Sequence, residues 1–244
     1  MYMKIKKLIA EFIGTFFLVC AIHLCVLNGQ TNLMPLAAGL MLMAMIFAGG
    51  HISGAHYNPA VTIAVFLRGK CSATDVPTYI FAQLLAASIA ALLVNSFLIN
   101  KMGSGLDLSS NALQAILAEA LGTFALCWVA LNVASSKDTE GNSFYGIAIG
   151  LAFAACGFSL GGISGGAFNP AIAFSLGISQ ISGFNNLWIY FVGEFLGAVL
   201  AAYVLSLIHI LHKTNQPLPC FRYRNCIWLL RIQYFFAIRW FDLQ

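Results

Sequence analysis

Asn58-Pro59-Ala60 returns 111 residues later as Asn169-Pro170-Ala171, and this repetition decides how the chain is organised. The same offset relates Gln83, in the stretch FAQL, to Glu194, in the stretch VGEF. Two landmarks that keep their order and their spacing along a chain indicate an internal duplication.

A third landmark supports the duplication. The stretch AEFIGTF at 10–16 returns as AEALGTF at 118–124, at an offset of 108 residues. The 244-residue chain is therefore predicted to contain two fused halves, at about 1–102 and 112–211, followed by a tail.

The composition is typical of a membrane protein. Hydrophobic residues make up 60% of the chain and charged residues only 8%, whereas about a quarter of an ordinary soluble domain is charged. Six stretches approach the roughly 20 apolar residues that a spanning helix needs. These stretches are 8–27, 33–50, 78–99, 112–134, 144–161 and 187–210. A secretory signal peptide is the alternative for the first, but Glu11 interrupts it and the second half repeats it.

The positive charges predict the orientation in the membrane, because Lys and Arg concentrate on the cytoplasmic side. With six spans, both termini fall on one side. That side collects eleven cations: Lys4, Lys6, Lys7, Arg68, Lys70, Lys137, Lys213, Arg222, Arg224, Arg231 and Arg239. The other side has Lys101 alone. We therefore expect both termini in the cytoplasm, and the short loops favour a bacterial inner membrane. The net charge of +4 reflects this topology and gives no indication of nucleic-acid binding.

Each half contains three spans and one short segment, at 58–68 and 169–178. Three spans are an odd number, so the second half enters from the opposite face and the halves form an inverted repeat. A helix of this length reaches about 15 Å, half of a hydrocarbon core of about 30 Å. We therefore expect two half-helices, inserted from opposite faces, whose starts meet near the midplane.

Asn-Pro-Ala suits the first turn of such a helix. Asn is a favoured N-cap, and Pro at the first helical position loses no needed donor. The Gly-rich approaches at 49–56 and 161–166 predict irregular backbone, which at membrane depth must be buried in protein or line an aqueous cavity. Two loops that merely plug a bundle are the alternative.

Three carboxylates, Glu11, Glu119 and Glu194, lie inside predicted spans, where an ionisable group is costly and usually functional. A proton or ion relay is one interpretation. The other is that each carboxylate braces a descending loop by accepting hydrogen bonds from its backbone N–H groups. Gln83 at the fourth position favours bracing, because an amide forms hydrogen bonds but carries no protons.

Two histidines near the first triplet, His51 and His56, are interpreted as hydrogen-bonding residues of the loop. Neither has a third metal ligand or a partner carboxylate nearby in the sequence, so we expect no metal site and no cofactor. The seven cysteines show no paired spacing and predict neither disulfides nor zinc.

Four-spaced small residues follow both third spans of the halves. Ala82, Ala86 and Ala90 correspond to Gly193, Gly197 and Ala201. Such faces allow close helix packing in lipid. We expect the third and sixth spans to pack near the axis that relates the halves.

The stretch HISGAHYNPAVT at 51–62 resembles the first signature of the aquaporins, or major intrinsic proteins. The resemblance covers residues 5–211. It implies an all-α membrane protein: a right-handed bundle of six transmembrane helices plus two half-helices, with a pore in each subunit and usually a homotetramer. It also implies that Asn58 and Asn169 supply the central amide donors. A passive channel for water follows, and no covalent chemistry is expected.

The sequence departs from the family pattern at the narrowest point. Most relatives have Arg after the second triplet, and this chain has Ile172. Counting from the triplets places the other constriction positions at Ala38, Gly157 and Gly166, unless the local alignment is shifted by one helical turn. Four small or apolar residues predict a wide ring with few hydrogen-bonding groups.

The expected function is passage of water together with small neutral solutes. Alternatives are a facilitator for glycerol, urea or ammonia with little preference for water, a membrane-junction or scaffolding protein with a closed pore, and a secondary transporter, which also uses inverted repeats. The channel domain is placed at 1–211. The basic, aromatic tail at 212–244 is interpreted as a cytoplasmic or interfacial segment, with an unstructured tail as the alternative.

Overall fold

The computed structural model describes residues 2–214, and within that range the chain folds into eight α-helices. They are α1 (Tyr2–Leu27), α2 (Met34–Ser53), α3 (Pro59–Leu67), α4 (Val76–Leu93), α5 (Ala112–Ser135), α6 (Tyr145–Ser164), α7 (Pro170–Ile178) and α8 (Leu187–Thr214). Six of them are long and apolar enough to cross a membrane, and α3 and α7 are the short ones. The predicted order of spans and half-helices is confirmed. The predicted tail, beyond Thr214, lies outside the described residues.

Contact between α2 and α6 joins the two halves. The helices approach closely where Gly39 faces Gly150, since a Cβ atom on either glycine would lie 2.5 Å from the carbonyl oxygen of the other. Only a residue without a side chain fits at both positions. Within the halves, α1 packs against α2, and α5 packs against α6 in the same way.

The small-residue faces of the third and sixth spans pack within each half. A Cβ on Gly193 would lie 2.6 Å from the carbonyl oxygen of Ile116, and one on Gly197 would lie 2.3 Å from that of Ala120. Both contacts are with α5. In the first half, α4 packs against α1. The expectation that these faces meet near the axis between the halves was wrong, because the spacing identifies a close-packing face but not its partner.

The half-helices cross between the halves. The first, α3, packs against α4 of its own half and against α5 of the other. The second, α7, packs against α4 and α1, both in the first half. Each short helix is therefore enclosed by long helices of both halves, and their starts are brought together in the interior.

The loop between α4 and α5 is fixed to the end of α7. The N–H groups of Gly103, Gly105 and Leu106 donate to the carbonyl oxygens of the three consecutive residues 179, 180 and 181. A side chain at Gly103 would not fit, since its Cβ would lie 2.4 Å from the Cα of Ile181. This backbone pairing holds the far end of the second half-helix.

The outer surface of the bundle is apolar, as lipid requires. Large hydrophobic side chains such as Phe81, Phe97 and Leu113 are more than two-thirds exposed. The interior is dominated by small residues, including Ala86, Ala87 and Ala90, which are fully buried.

Candidate functional site

Both helices that precede a half-helix end in a left-handed glycine. Gly54 follows α2 with a φ of 90°, and Gly165 follows α6 with a φ of 94°. The N–H of each donates to the carbonyl oxygen four residues earlier, at Gly50 and Gly161. A positive φ is readily accessible to glycine, so the chain turns sharply here and re-enters the bundle.

The residue before each asparagine also has a left-handed backbone, although it is not glycine. Tyr57 has a φ of 50° and Phe168 a φ of 49°. Their rings pack against glycines of the Glu-x-x-Gly stretches, so that a Cβ on Gly14 or Gly122 would lie 2.2 Å from a ring carbon. The two glycines therefore provide the space that the strained loops need.

Asn58 and Asn169 cap the half-helices. The Oδ1 of Asn58 accepts hydrogen bonds from the N–H groups of Ala60 (2.8 Å) and Val61 (3.3 Å). The Oδ1 of Asn169 accepts one from the N–H of Ala171 (3.0 Å). Both side chains are nearly fully buried, and this capping fixes the direction in which each Nδ2 points.

The two asparagines link the loops by crossed hydrogen bonds. The Nδ2 of Asn58 donates to the carbonyl oxygen of Phe168 at 2.8 Å, and the Nδ2 of Asn169 donates to that of Tyr57 at 2.9 Å. The tips of α3 and α7 therefore meet. An amide Nδ2 carries two hydrogens, so each asparagine retains a second donor.

In the first half, Glu11 holds the loop. Its Oε1 accepts from the hydroxyl of Ser53 (2.7 Å) and the N–H of His56 (3.0 Å). Its Oε2 accepts from the N–H of Tyr57 (2.7 Å) and the amide of Gln83 (2.9 Å). The carboxylate is fully buried, and all four bonds serve to fix the loop before α3.

In the second half, Glu119 occupies the equivalent position. Its Oε1 accepts from the hydroxyl of Ser164 (2.6 Å) and the N–H of Ala167 (3.0 Å). Its Oε2 accepts from the N–H of Phe168 (2.6 Å). The same arrangement therefore precedes both half-helices.

Gln83 and Glu194 occupy matching positions but bind differently. Gln83 donates from Nε2 to Glu11 and to the hydroxyl of Thr62 (3.1 Å), so it supports the carboxylate and not the backbone. The Oε1 of Glu194 accepts from the backbone N–H of Asn169 at 2.8 Å.

The two histidines differ in position. His56 is buried, and its Nδ1 lies 3.2 Å from the hydroxyl of Thr62. His51 belongs to the last turn of α2, is exposed and lines a cavity, and no hydrogen bond of its side chain is found within residues 2–214. The prediction that His51 braces the loop was wrong, because α2 continues through it to Ser53 and turns its side chain outward.

Two further pairs, absent from the sequence prediction, complete the loops. Besides binding the carboxylates, Ser53 and Ser164 accept hydrogen bonds at their carbonyl oxygens from the hydroxyls of Tyr79 and Tyr190, both at 2.7 Å. Each pair is separated by 111 residues. The offset of the duplication would have been enough to find them.

Buried His23 on α1 also joins the two halves. Its Nδ1 lies 3.0 Å from the carbonyl oxygen of Val19 and its Nε2 lies 3.3 Å from that of Ser175 near the end of α7. The first half contributes no histidine at an equivalent place, so the sequence gave no signal for this contact. Within residues 2–214 no group of three potential metal ligands is found.

A cavity of about 690 Å³ leads to the paired asparagines, and both Asn58 and Asn169 line its inner end. Its walls are largely apolar and include Leu18, Leu42 and Phe153. Exposed His51 lies on its rim side, near the ends of α2 and α5. The arrangement is a passage that narrows toward two amide donors.

The four predicted constriction positions are all buried. Ala38 is 0% exposed and Ile172 is 1% exposed. Gly157 lies against α2, where a Cβ would be 2.8 Å from the Cβ of Pro35, and a Cβ on Gly166 would be 3.0 Å from the Cα of Gly161. An open, wide ring is therefore not what these residues form, because close packing of α2 on α6 and of the loop on α6 fills the space.

Comparisons with known proteins agree with this geometry. The family model of the major intrinsic proteins matches residues 2–205. The chain belongs to the major intrinsic protein family. Members of this family are passive channels, so the chain is a membrane channel and not an enzyme. The predicted fold class, with six spanning helices, two half-helices and inverted repeats in a right-handed bundle, is confirmed.

The relatives of this major intrinsic protein include water and glycerol proteins. It is 35% identical to aquaporin NIP1-1 of Zea mays over 88% of the chain and 77% of the relative. It is 35% identical to glycerol uptake facilitator protein-like 6 of Lactiplantibacillus plantarum, over 81% and 95%. A crystal structure of the aquaglyceroporin from Plasmodium falciparum superimposes with a TM-score of 0.66 at 22% identity, covering 85% of this chain and 99% of that one.

Proposed function

We propose that the channel conducts water and also admits small neutral solutes such as glycerol, urea or ammonia. The observation that carries this proposal is the pair of asparagines at the inner end of the cavity. One N–H of each amide is held by the opposite loop, and the other is available to a passing oxygen. A donor pair in an apolar passage suits a neutral molecule that moves in single file.

Electrostatics at the same place oppose the passage of cations. The helices α3 and α7 begin at Pro59 and Pro170, and the crossed hydrogen bonds keep their starts together. Each helix N-terminus carries about half of an elementary positive charge. Two such termini at one point repel cations and protons at the centre of the membrane, where solvent screening is weak.

The constriction positions favour neutral solutes over ions in a second way. None of Ala38, Gly157, Gly166 and Ile172 carries a side-chain charge or donor. An ion would lose its hydration there without compensation, whereas a small neutral molecule loses less. The relative named as a glycerol uptake facilitator supports solute passage.

Swelling of reconstituted vesicles tests the proposal. Stopped-flow light scattering should give raised permeability to water and also to glycerol or urea, relative to protein-free vesicles. Ile172→Arg should lower glycerol and urea flux more than water flux, because it adds bulk and a charge at the constriction. Ile172→Val, which stays apolar, is the matched control and should retain solute flux. Water flux without any solute flux would contradict the proposed solute passage.

Burial of the constriction supports a second candidate. Because Ala38 and Ile172 are closed to water, a pore that is sealed at rest would fit a membrane-junction or scaffolding role. Vesicles that contain the folded protein but swell no faster than empty ones would favour this role.

We further propose a homotetramer with both termini in the cytoplasm, within a channel domain at 1–211. Supporting this assembly is the exposed apolar surface of the bundle, including Phe81 and Leu113. The eleven-to-one distribution of cations supports the orientation and a plasma-membrane location. Cross-linking in membranes and reporter fusions at either terminus test the two proposals separately.

A further inference from the structure

The second loop contains a buried carboxylate with one oxygen that has no partner. Glu194 is fully buried, and its Oε1 accepts from the N–H of Asn169 at 2.8 Å. Its Oε2 is also buried and forms no hydrogen bond in the described part of the chain. An ionised oxygen without any donor is one of the costliest groups to bury.

The duplication shows what should stand at this place. In the first half, Gln83 donates from Nε2 to the Oε2 of Glu11 at 2.9 Å and to the hydroxyl of Thr62. In the second half, Glu194 replaces Gln83 and Ala173 replaces Thr62. The hydroxyl is therefore lost, and the equivalent acceptor left for the group at position 194 is Glu119.

Glu119 has room for one more donor. Its Oε1 accepts two hydrogen bonds, from Ser164 and Ala167, whereas its Oε2 accepts one, from Phe168. The corresponding Oε2 of Glu11 accepts two. The second half thus lacks one hydrogen bond that the first half has.

The helices that carry the two glutamates are in close contact. A Cβ on Gly193 would lie 2.8 Å from the Cβ of Glu119. The carboxyl groups of Glu119 and Glu194 interact electrostatically, and the other titratable groups that act on either are Tyr190 and Cys156. Neither half-helix contains a titratable residue. No cation thus acts on the pair from the described elements around it.

We propose that Glu194 carries a proton at neutral pH and donates it from Oε2 to the Oε2 of Glu119. The pair then has a single negative charge, and Glu194 reproduces the donor of Gln83 while it also accepts from the N–H of Asn169. Glu194 is a positioning residue: it acts on the pore through Asn169. Its protonation does not depend on which solute passes.

Infrared spectroscopy of the reconstituted full chain tests the proton directly. A protonated carboxylic acid has a C=O band that is separate from the carboxylate bands. At neutral pH the wild type should show this band, Glu194→Gln should lack it, and Glu140→Gln, which changes an exposed glutamate, should keep it. Glutamate labelled with ¹³C at the side-chain carboxyl should shift the band in the wild type. That measurement needs no variant, so the test stands even if Glu194→Gln does not fold.

Flux measurements separate positioning from mere filling of space. Glu194→Ala leaves the N–H of Asn169 without an acceptor, and we expect about tenfold loss of the ordered second loop, read as reduced water permeability. Glu194→Gln should restore permeability, because its amide donates to Glu119 and its oxygen accepts from Asn169. At alkaline pH, the wild type should lose permeability and Glu194→Gln should not.

Two results would overturn the proposal. One is a wild-type spectrum at neutral pH without a glutamic acid band. The other is a Glu194→Gln variant that folds but is as impaired as Glu194→Ala. A failed function is recognised independently, since vesicles with wild-type protein would then not swell even though the band is present.

Discussion

The carboxylate of Glu11 should be the residue on which the first half-helix depends most. Replacing Glu11 by alanine removes the acceptor of two buried backbone N–H groups, those of His56 and Tyr57. It also removes the acceptor of the Ser53 hydroxyl and of the Gln83 amide. No water can replace these bonds readily, because the site is fully buried.

The magnitude follows from the count of orphaned groups. An unsatisfied buried N–H costs about 1–3 kcal/mol, so two such groups in Glu11→Ala should cost about 2–6 kcal/mol. Glu11→Gln keeps one oxygen and should lose about half as much, about 1–3 kcal/mol. The exposed Glu140 offers a matched control, and Glu140→Ala should change stability by less than about 0.5 kcal/mol.

Two assays check this order. Unfolding in mixed detergent micelles should give falling stability from Glu140→Ala through Glu11→Gln to Glu11→Ala. Vesicles with Glu11→Ala should also have lower water permeability than wild-type vesicles, since the loop before α3 positions Asn58. A Glu11→Ala protein as stable as Glu140→Ala would refute the reasoning that the loop is held by the carboxylate.

Two other substitutions probe packing and surface charge. Gly122→Ala places a Cβ 2.2 Å from the ring of Phe168 and should cost about 1–3 kcal/mol in unfolding, whereas Gly162→Ala, with open space, should not destabilise. Burial alone would raise the pKa of Asp75, but the hydrogen bond from Lys7 lowers it below its usual value. Because the folded pKa is lowered, the bridge stabilises the protein above the unfolded pKa and this contribution is lost as pH falls through the folded value. Asp75→Asn should thus cost about 0–1 kcal/mol at neutral pH and nothing in strong acid, as differential thermal unfolding would register.

Much of the fold follows from local sequence. The half-helices were predicted at 58–68 and 169–178 because Asn-Pro is a strong helix start and the segments are too short to span. In the structure they run Pro59–Leu67 and Pro170–Ile178 with the asparagines as caps. These signals depend on neighbours in the chain, which is why sequence alone reveals them.

Partners in space were harder to predict. The glycine ladder at Gly193 and Gly197 identified a close-packing face, but whether α4 or α5 covers it depends on the assembled bundle. Likewise, Ile172 was identified correctly as the departure from the family pattern, yet its burial results from packing between α2, α6 and the second loop. Small side chains predicted a wide ring only as long as the helices were assumed to stay apart.

The crossed hydrogen bonds between Asn58, Asn169 and the opposite loops also required the structure. Their residues are more than a hundred positions apart, and no single half contains the information. The duplication nevertheless supplied a rule that was not fully used: residues 111 positions apart do the same work, as Ser53 and Ser164 show.

The water permeability of vesicles containing the purified wild-type protein, followed over a range of temperatures, tests most directly whether two capped half-helices border an aqueous pore. We predict permeability well above that of protein-free vesicles and a weak temperature dependence, as expected for water that crosses without dissolving in lipid. Permeability equal to that of empty vesicles, with the steep temperature dependence of bare lipid, would contradict a pore at the paired asparagines.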